Sequence, residues 1–216
     1  MKNRKYWILG IIGCILFGIG DWLLGFVDPT PAADQFYVLK AGHGMGYELK
    51  KLSITLLSGI IGVPFMMAGC PHIAELVTEK ERKKVLKVTL MLLPVGWLLI
   101  HFTVTCGIFV YAWSMQNGNQ YFALKMVTDM MKMFRSTQYA AYFLVGVPLI
   151  LLPVFVFRGK MILPKTSQFF TPLLWMGLLS SVKYVIPASP FVNGIDTFCM
   201  NAGMIIWFVY LLLKKI

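Results

Sequence analysis

Few side chains in this sequence can do chemistry, and those few stand in apolar surroundings. Asp21 falls in "GIGDWLLG" near the far end of the first long apolar run, His101 in the third run, Lys183 in the fifth and Asn201 in the last. A charged side chain at the centre of a membrane helix costs about 2.5–3.5 kcal/mol on insertion scales, so each must find a partner or water. At a rise of 1.5 Å per residue, Asp21 and His101 lie roughly 22 Å and Lys183 about 21 Å above the inner ends of their runs. The shared depth predicts an outer-half polar site made of Asp21, His101, Lys183 and Asn201, with Trp22, Trp97 and Tyr184 as walls. In such a site Asp21 is the anionic group for a cation, a proton or a ligand amine, and Lys183 balances its charge. His101 can change protonation near neutral pH, and Asn201 orients the ligand.

Helical spacing supports this grouping. Gly10, Cys14, Gly18, Asp21 and Gly25 share one face, and small residues at that interval let a neighbouring helix approach closely. Pro94, Trp97, His101 and Thr105 share another face, where Pro94 kinks the helix and frees a carbonyl. Gly177, Ser180 and Tyr184 lie near the face of Lys183, and "NGID" offers Asp196 as a helix cap. The same residues also have purely structural readings. Asp21 and Lys183 suit an ion pair that fixes helix assembly, Lys183 suits snorkelling to the outer interface, Asn201 suits interhelical bonding, and His101 suits the carbonyl freed by Pro94.

Other chemistry finds less support. The three histidines, His43, His72 and His101, with a carboxylate would satisfy zinc in kind, but they fall in an outer loop, at an inner helix end and deep in a span, so no metal is predicted. His72 and Glu75 beside "EKERKK" read as a solvated interfacial helix, and "GHGMG" around His43 as a flexible outer loop. The sequence has no HExxH, no Gly-x-Ser-x-Gly and no phosphate-binding loop, and no cofactor is called for. Ser180 one turn before Lys183 has the spacing of a Ser-Lys dyad, although an apolar helix holds both residues often without catalysis. Cys14, Cys70, Cys106 and Cys199 follow no disulfide or metal spacing, and only Cys106 with Cys199 is placed for a bridge.

The elements that must position these groups follow from composition. The chain is 58% hydrophobic and 13% charged, against about 45–50% apolar and 25% charged in a soluble domain. An all-α integral membrane protein is therefore predicted: a single polytopic domain over 1–216 with six spans, at 6–27, 50–70, 86–113, 138–157, 169–187 and 196–213. The start, through "IIGC", mimics a signal peptide, but the apolar run continues past Cys14 and reads as an uncleaved first span.

The net charge of +11 forms clusters between apolar runs, not a stripe with stacking aromatics, so nucleic acid is not the partner. With the N-terminus inside, the inner segments hold Lys2, Arg4, Lys5, Lys80, Arg82, Lys83, Lys84, Lys87, Arg158, Lys160, Lys165, Lys214 and Lys215. Those thirteen face seven on the other side, which places both termini in the cytoplasm and the protein in a cytoplasmic membrane. The first outer loop suits a short helix started by Thr30 and Pro31 and ended by Gly42. In the third inter-span loop Leu124, Val127, Met131 and Phe134 oppose Lys125, Asp129 and Lys132, predicting an interfacial helix that either packs or serves as a lid. The two three-span halves have opposite topology, and "GVP" at 62–64 and 146–148 is their sole echo, in non-equivalent spans.

The function this pattern predicts is binding of a small or lipid-like ligand in an outer-half cavity, for transport or sensing, among membrane lipids. Two alternatives stay open: an intramembrane hydrolase or lipid-modifying enzyme using His101 and Asp21 as acid and base, and a non-catalytic assembly partner.

Overall fold

The computed structural model describes residues 3–27 and 48–214. The short helix expected after Thr30 and the loop around His43 lie outside the described residues, as does the side chain of Leu124. The described chain is almost entirely helical: α1 (Arg4–Gly25), α2 (Leu49–Gly69), a 3-10 turn (Cys70–Leu76), α3 (Lys80–Gln116), α4 (Gln120–Met133), α5 (Arg135–Phe157), a 3-10 turn (Lys165–Phe170), α6 (Pro172–Ser181), a 3-10 turn (Val182–Tyr184) and α7 (Pro190–Leu213). Among the described residues five helices are long and apolar enough to cross a membrane: α1, α2 with its 3-10 extension, α3, α5 and α7.

The outward faces of these helices are themselves apolar. Ile8, Ile12, Ile15 and Ile19 recur along the outer face of α1, and Ile54, Leu57 and Ile61 along that of α2, all exposed. Water would penalise such a surface at roughly 25 cal/mol per Å2, whereas acyl chains do not.

The fifth expected span, 169–187, is not one continuous helix, which corrects the expectation there. Its place is taken by two 3-10 turns flanking the ten-residue α6, a helix about 15 Å long by its rise. The apolar window concealed two breaks. Pro172 lacks an N–H and opens a new helix at its first position, and Pro187 forbids continuation beyond the turn at Tyr184. This broken segment still runs antiparallel along α7. Ser167 bonds the Tyr210 hydroxyl at 2.5 Å, Pro172 lies against Gly203, and Ser180 bonds Asp196 at 2.5 Å.

α1 is the centre of the bundle, packed between α2 and α7, while α3 packs on α2 and α5. Close approach of α1 and α2 depends on missing side chains. A Cβ on Gly62 would stand 2.8 Å from the Gly13 carbonyl oxygen and from the Phe17 nitrogen, both fixed backbone atoms. The opposite face of α1 meets α7, with Gly10 against Phe208, Gly18 against Phe198 and Asn201, and Gly25 against Thr197. The glycine face expected on the first helix is thus an interface on which the last helix seats.

Basic residues gather at one end of the bundle. There Tyr6 stacks on His72 at 3.4 Å, Lys83 pairs with Glu75, and Lys160 reaches Glu79 at 2.7 Å. The bond from Lys160 holds the exposed Glu79 carboxyl below its ordinary range, with Arg82 adding to it. The isolated bridge between Val77 and Met161 ties the α5 exit to the same end.

At the other end a second small core forms. Ala123, Val127 and Met131 of α4 are buried with Leu24, Val27, Leu52, Ile108, Tyr111 and Ala112, so this helix covers the ends of α1, α2 and α3. Its other faces divide between exposed Phe122 and Met126 and the exposed Lys125–Asp129 pair at 2.8 Å. A helix with one protein-facing, one exposed apolar and one charged face has the pattern expected of a membrane-surface helix.

The glycine seam makes a paired prediction. Gly62→Ala should lower stability by about 1–3 kcal/mol through overpacking. Gly177→Ala, where the added carbon meets nothing within 4 Å, should stay within about 0.5 kcal/mol. Thermal unfolding of both variants in one detergent checks the contrast, and equal losses would refute the seam.

Candidate functional site

The polar centre is assembled by four helices around one carboxylate. Asp21 of α1 accepts from the imidazole side of α3, where His101 Nδ1 lies 2.7 Å from Oδ1, and from α7, where Asn201 Nδ2 donates to Oδ2 at 2.6 Å. The other ring nitrogen, Nε2, lies 3.0 Å from the backbone carbonyl of Thr55 on α2. His101 is 2% exposed, Asp21 9% and Asn201 0%, so no part of this chain of bonds is exchanged freely with solvent.

Sequence explains why α3 can place a ring there. A Cβ on Gly59 would stand 2.8 Å from the His101 ring, and one on Gly20 would stand 3.0 Å from it. The imidazole therefore fits in a slot that only glycines on α1 and α2 leave open. Phe17 closes the inner side at 4.8 Å between ring centroids and itself packs on Trp97 at 5.3 Å. Thr105 bonds the His101 carbonyl at 2.7 Å, satisfying the helix around it.

Hydrogen-bond roles follow from the acceptors. A backbone carbonyl accepts only, so Nε2 must carry a hydrogen. The general-base function of an enzyme needs a free ring lone pair aimed at a substrate. In this arrangement one nitrogen is used by Thr55 and the other by Asp21, so the geometry does not present His101 as a base.

Three of the four expected polar residues, Asp21, His101 and Asn201, come together. Lys183 does not join them: its ammonium lies 3.0 Å and 3.2 Å from the two oxygens of Asp196, which also accepts from Ser180. The reasons are level and direction: Asp196 stands five residues before Asn201 on α7, about 7.5 Å by the rise of a helix. Lys183 follows the face of α6 that packs on α7, and α7 presents Asp196 there, while α1 meets a different face of α7. Asp196 is accordingly a partner within the second turn of α7 and not its cap; Ser189 caps that helix by accepting from the Val192 nitrogen at 3.3 Å.

Among the expected walls, Trp97 is buried beneath the centre, and Trp22 stacks with Phe26 and meets Phe191 and Phe198 edge-on at 5.5 and 6.2 Å. Tyr184 is 82% exposed, beside the Lys183 ammonium at 5.4 Å, and lines no part of this centre. Thr55, Gly20 and Gly59 were not anticipated. The signal for the glycines was present in the sequence, since Gly20 adjoins Asp21 and Gly59 stands one turn beyond Thr55.

No group of three His, Cys, Asp or Glu side chains suited to a metal ion occurs among the described residues. All four cysteines are free, so the Cys106–Cys199 bridge does not form here.

Taken together, the fold and site define a class: a bundle of apolar helices closed around a buried acid–imidazole–amide centre. The chain belongs to a family of unknown function, DUF6796, whose model matches residues 1–216. It matches no curated protein and no solved structure.

The centre predicts strong coupling. Asp21→Leu or His101→Leu alone should cost about 3–5 kcal/mol by stranding its buried partner, whereas the double variant should recover much of the loss. Gly59→Ala should mimic His101→Leu, and combining those two should add little. Unfolding midpoints measured across the set test this; additive losses would contradict the shared centre.

Proposed function

We propose that this chain is a multi-pass protein of a cytoplasmic membrane whose outer-half centre binds a small cationic ligand or the cationic head of a lipid-like molecule, for transport or sensing. The observation that carries the reading is the Asp21 carboxylate held in an apolar bundle by His101 at 2.7 Å and Asn201 at 2.6 Å. An ionisable group inside a membrane is expensive, and a purely structural role could be met by apolar contacts of similar volume.

Sidedness and span count belong to the same proposal. The broken segment Lys165–Tyr184 runs antiparallel beside α7 and makes a sixth crossing, which puts both termini on the basic, cytoplasmic side. Discontinuous helices are a common way for transporters to bring polar groups to mid-membrane. The centre then lies toward the outer side, beneath the core that α4 covers. α4 has the contacts of a packing helix, and its shallow face of Ala123, Val127 and Met131 is consistent with a lid.

The test is ligand-dependent stability of purified protein in lipid nanodiscs against sodium, potassium, alkylammonium ions, a long-chain alkylamine and pH. A ligand at a hundred times its Kd stabilises by about 2.7 kcal/mol. At least one condition should raise the unfolding midpoint of the native chain and leave Asp21→Asn unmoved. A variant that responds like the native chain in every condition would leave the centre a scaffold.

A further inference from the structure

We propose that the ligand of the centre is the proton: the Asp21–His101 pair holds one, and Asp21 Oδ2, facing Asn201, is the place for a second. This rests on the reading of the centre given above and names its substrate class.

The bonding pattern fixes the first proton. Thr55 requires a hydrogen on Nε2, and one more hydrogen lies between Nδ1 and Oδ1 across 2.7 Å. Drawn as imidazolium with carboxylate or as imidazole with carboxylic acid, the pair is neutral. Its removal would set the Nδ1 lone pair against a carboxylate oxygen at that distance, so this proton is held.

The second place follows from the amide. Asn201 Nδ2 donates to Oδ2, while Asn201 Oδ1, fully buried, has no hydrogen-bond partner. An amide with one unpartnered end can turn over without losing any other bond. After turnover Oδ1 accepts from a hydrogen on Asp21 Oδ2. The step balances: a hydronium ion breaks one O–H bond and leaves as water while an O–H bond forms on Oδ2, an N–H···O bond is replaced by an O–H···O bond, and the centre goes from zero to plus one. No other covalent bond changes and no oxidation state changes.

Geometry favours the proton over larger cations. Each carboxylate oxygen already receives one donor in a buried slot, so a metal ion or an ammonium must find room beside both, whereas a proton needs only the turnover of the Asn201 amide. The ring that bonds Oδ1 is itself fixed between Gly20 and Gly59.

Apart from Cys14 of α1 and the groups at the far, basic end of the bundle, the other ionisable groups on the helices around the pair are few. α2 carries only Lys50 and Lys51, at its outer start, and Lys51 bonds the Phe26 carbonyl at 2.9 Å. α3 adds Cys106 and Tyr111 beyond His101. α7 adds the thiol of Cys199 and then Asp196, which is neutralised by Lys183. None supplies a free cation against the centre, and the charge gained on uptake means that the second place fills as pH falls.

The experiment is infrared and potentiometric titration of the native protein in nanodiscs between roughly pH 8 and pH 5, the range in which an imidazole pair responds. Native protein should take up one proton per chain more than Asn201→Leu, with a deuterium-sensitive carboxylic acid band growing at low pH. In Asn201→Leu this uptake should be lost or moved at least tenfold toward acid. The band should also be absent from Asp21→Asn; should that variant not fold, the native and Asn201→Leu titrations decide alone. Equal uptake by native protein and Asn201→Leu, or no growth of the acid band, overturns the proposal. If sodium or an alkylamine still stabilises native protein but not Asp21→Asn, the binding centre stands and only the proton falls.

Discussion

A carboxylate buried in an apolar bundle must have both oxygens bonded, and that requirement organises the molecule. Asp21 takes one donor from α3 and one from α7, and the ring that serves it is anchored in turn on α2. These bonds can form only if α1 is approached closely on two sides, which is the work of glycines. Gly13 with Gly62 and Gly20 with Gly59 bring α2 near, and Gly10, Gly18 and Gly25 bring α7 near. Neither feature suffices alone. Without the glycines the polar atoms would not meet, and without the polar atoms a stripe of small residues would leave register between apolar helices weakly defined.

Much of this was legible in the sequence, because depth and helical face can be counted along a chain. Five apolar runs became long helices, three within about three residues of their expected limits and two beginning six residues early, and Asp21 and His101 met as their shared depth implied, with Asn201 beside them. Azimuth between helices is a different matter. Lys183 has neither the direction nor the level of Asp21, since it meets Asp196, five residues before Asn201 on α7. The break at Pro172 compounds this, because counting rise through 169–187 assumes one continuous helix. Thr55 was invisible for another reason: it contributes a backbone carbonyl, which any residue type would supply.

Long α3 links the two ends of the molecule. Its 37 residues exceed what a bilayer core requires by nearly twofold. The surplus carries the basic end, where Lys83 meets Glu75, and at the other end the surface on which α4 packs. His101 sits between them, so the helix that supplies the imidazole also carries the charge cluster at one end and the packing surface for α4 at the other. A shift of this helix along its axis would disturb the His101–Asp21 bond first, since that bond spans the interior at 2.7 Å with a ring held in a slot.

Two carboxylates in one bundle have been given opposite characters by their neighbours. Asp196 is paired with an ammonium and a hydroxyl at the end of a broken helix, where Lys183 is about one third exposed by side chain. The ammonium bonds both carboxylate oxygens, so that pair joins the broken segment to α7 by charge as well as by hydrogen bonds. Asp21 is paired instead with an imidazole and with an amide that can offer either a donor or an acceptor. The two carboxylates thus differ in level as well as in partner: Asp196 is met by an ammonium and a hydroxyl in the second turn of α7, and Asp21 by a ring and an amide at Asn201, five residues further along that helix. One carboxylate joins two neighbouring segments, whereas the other joins three helices directly and a fourth through the ring, which is why the packing of the whole bundle converges on it.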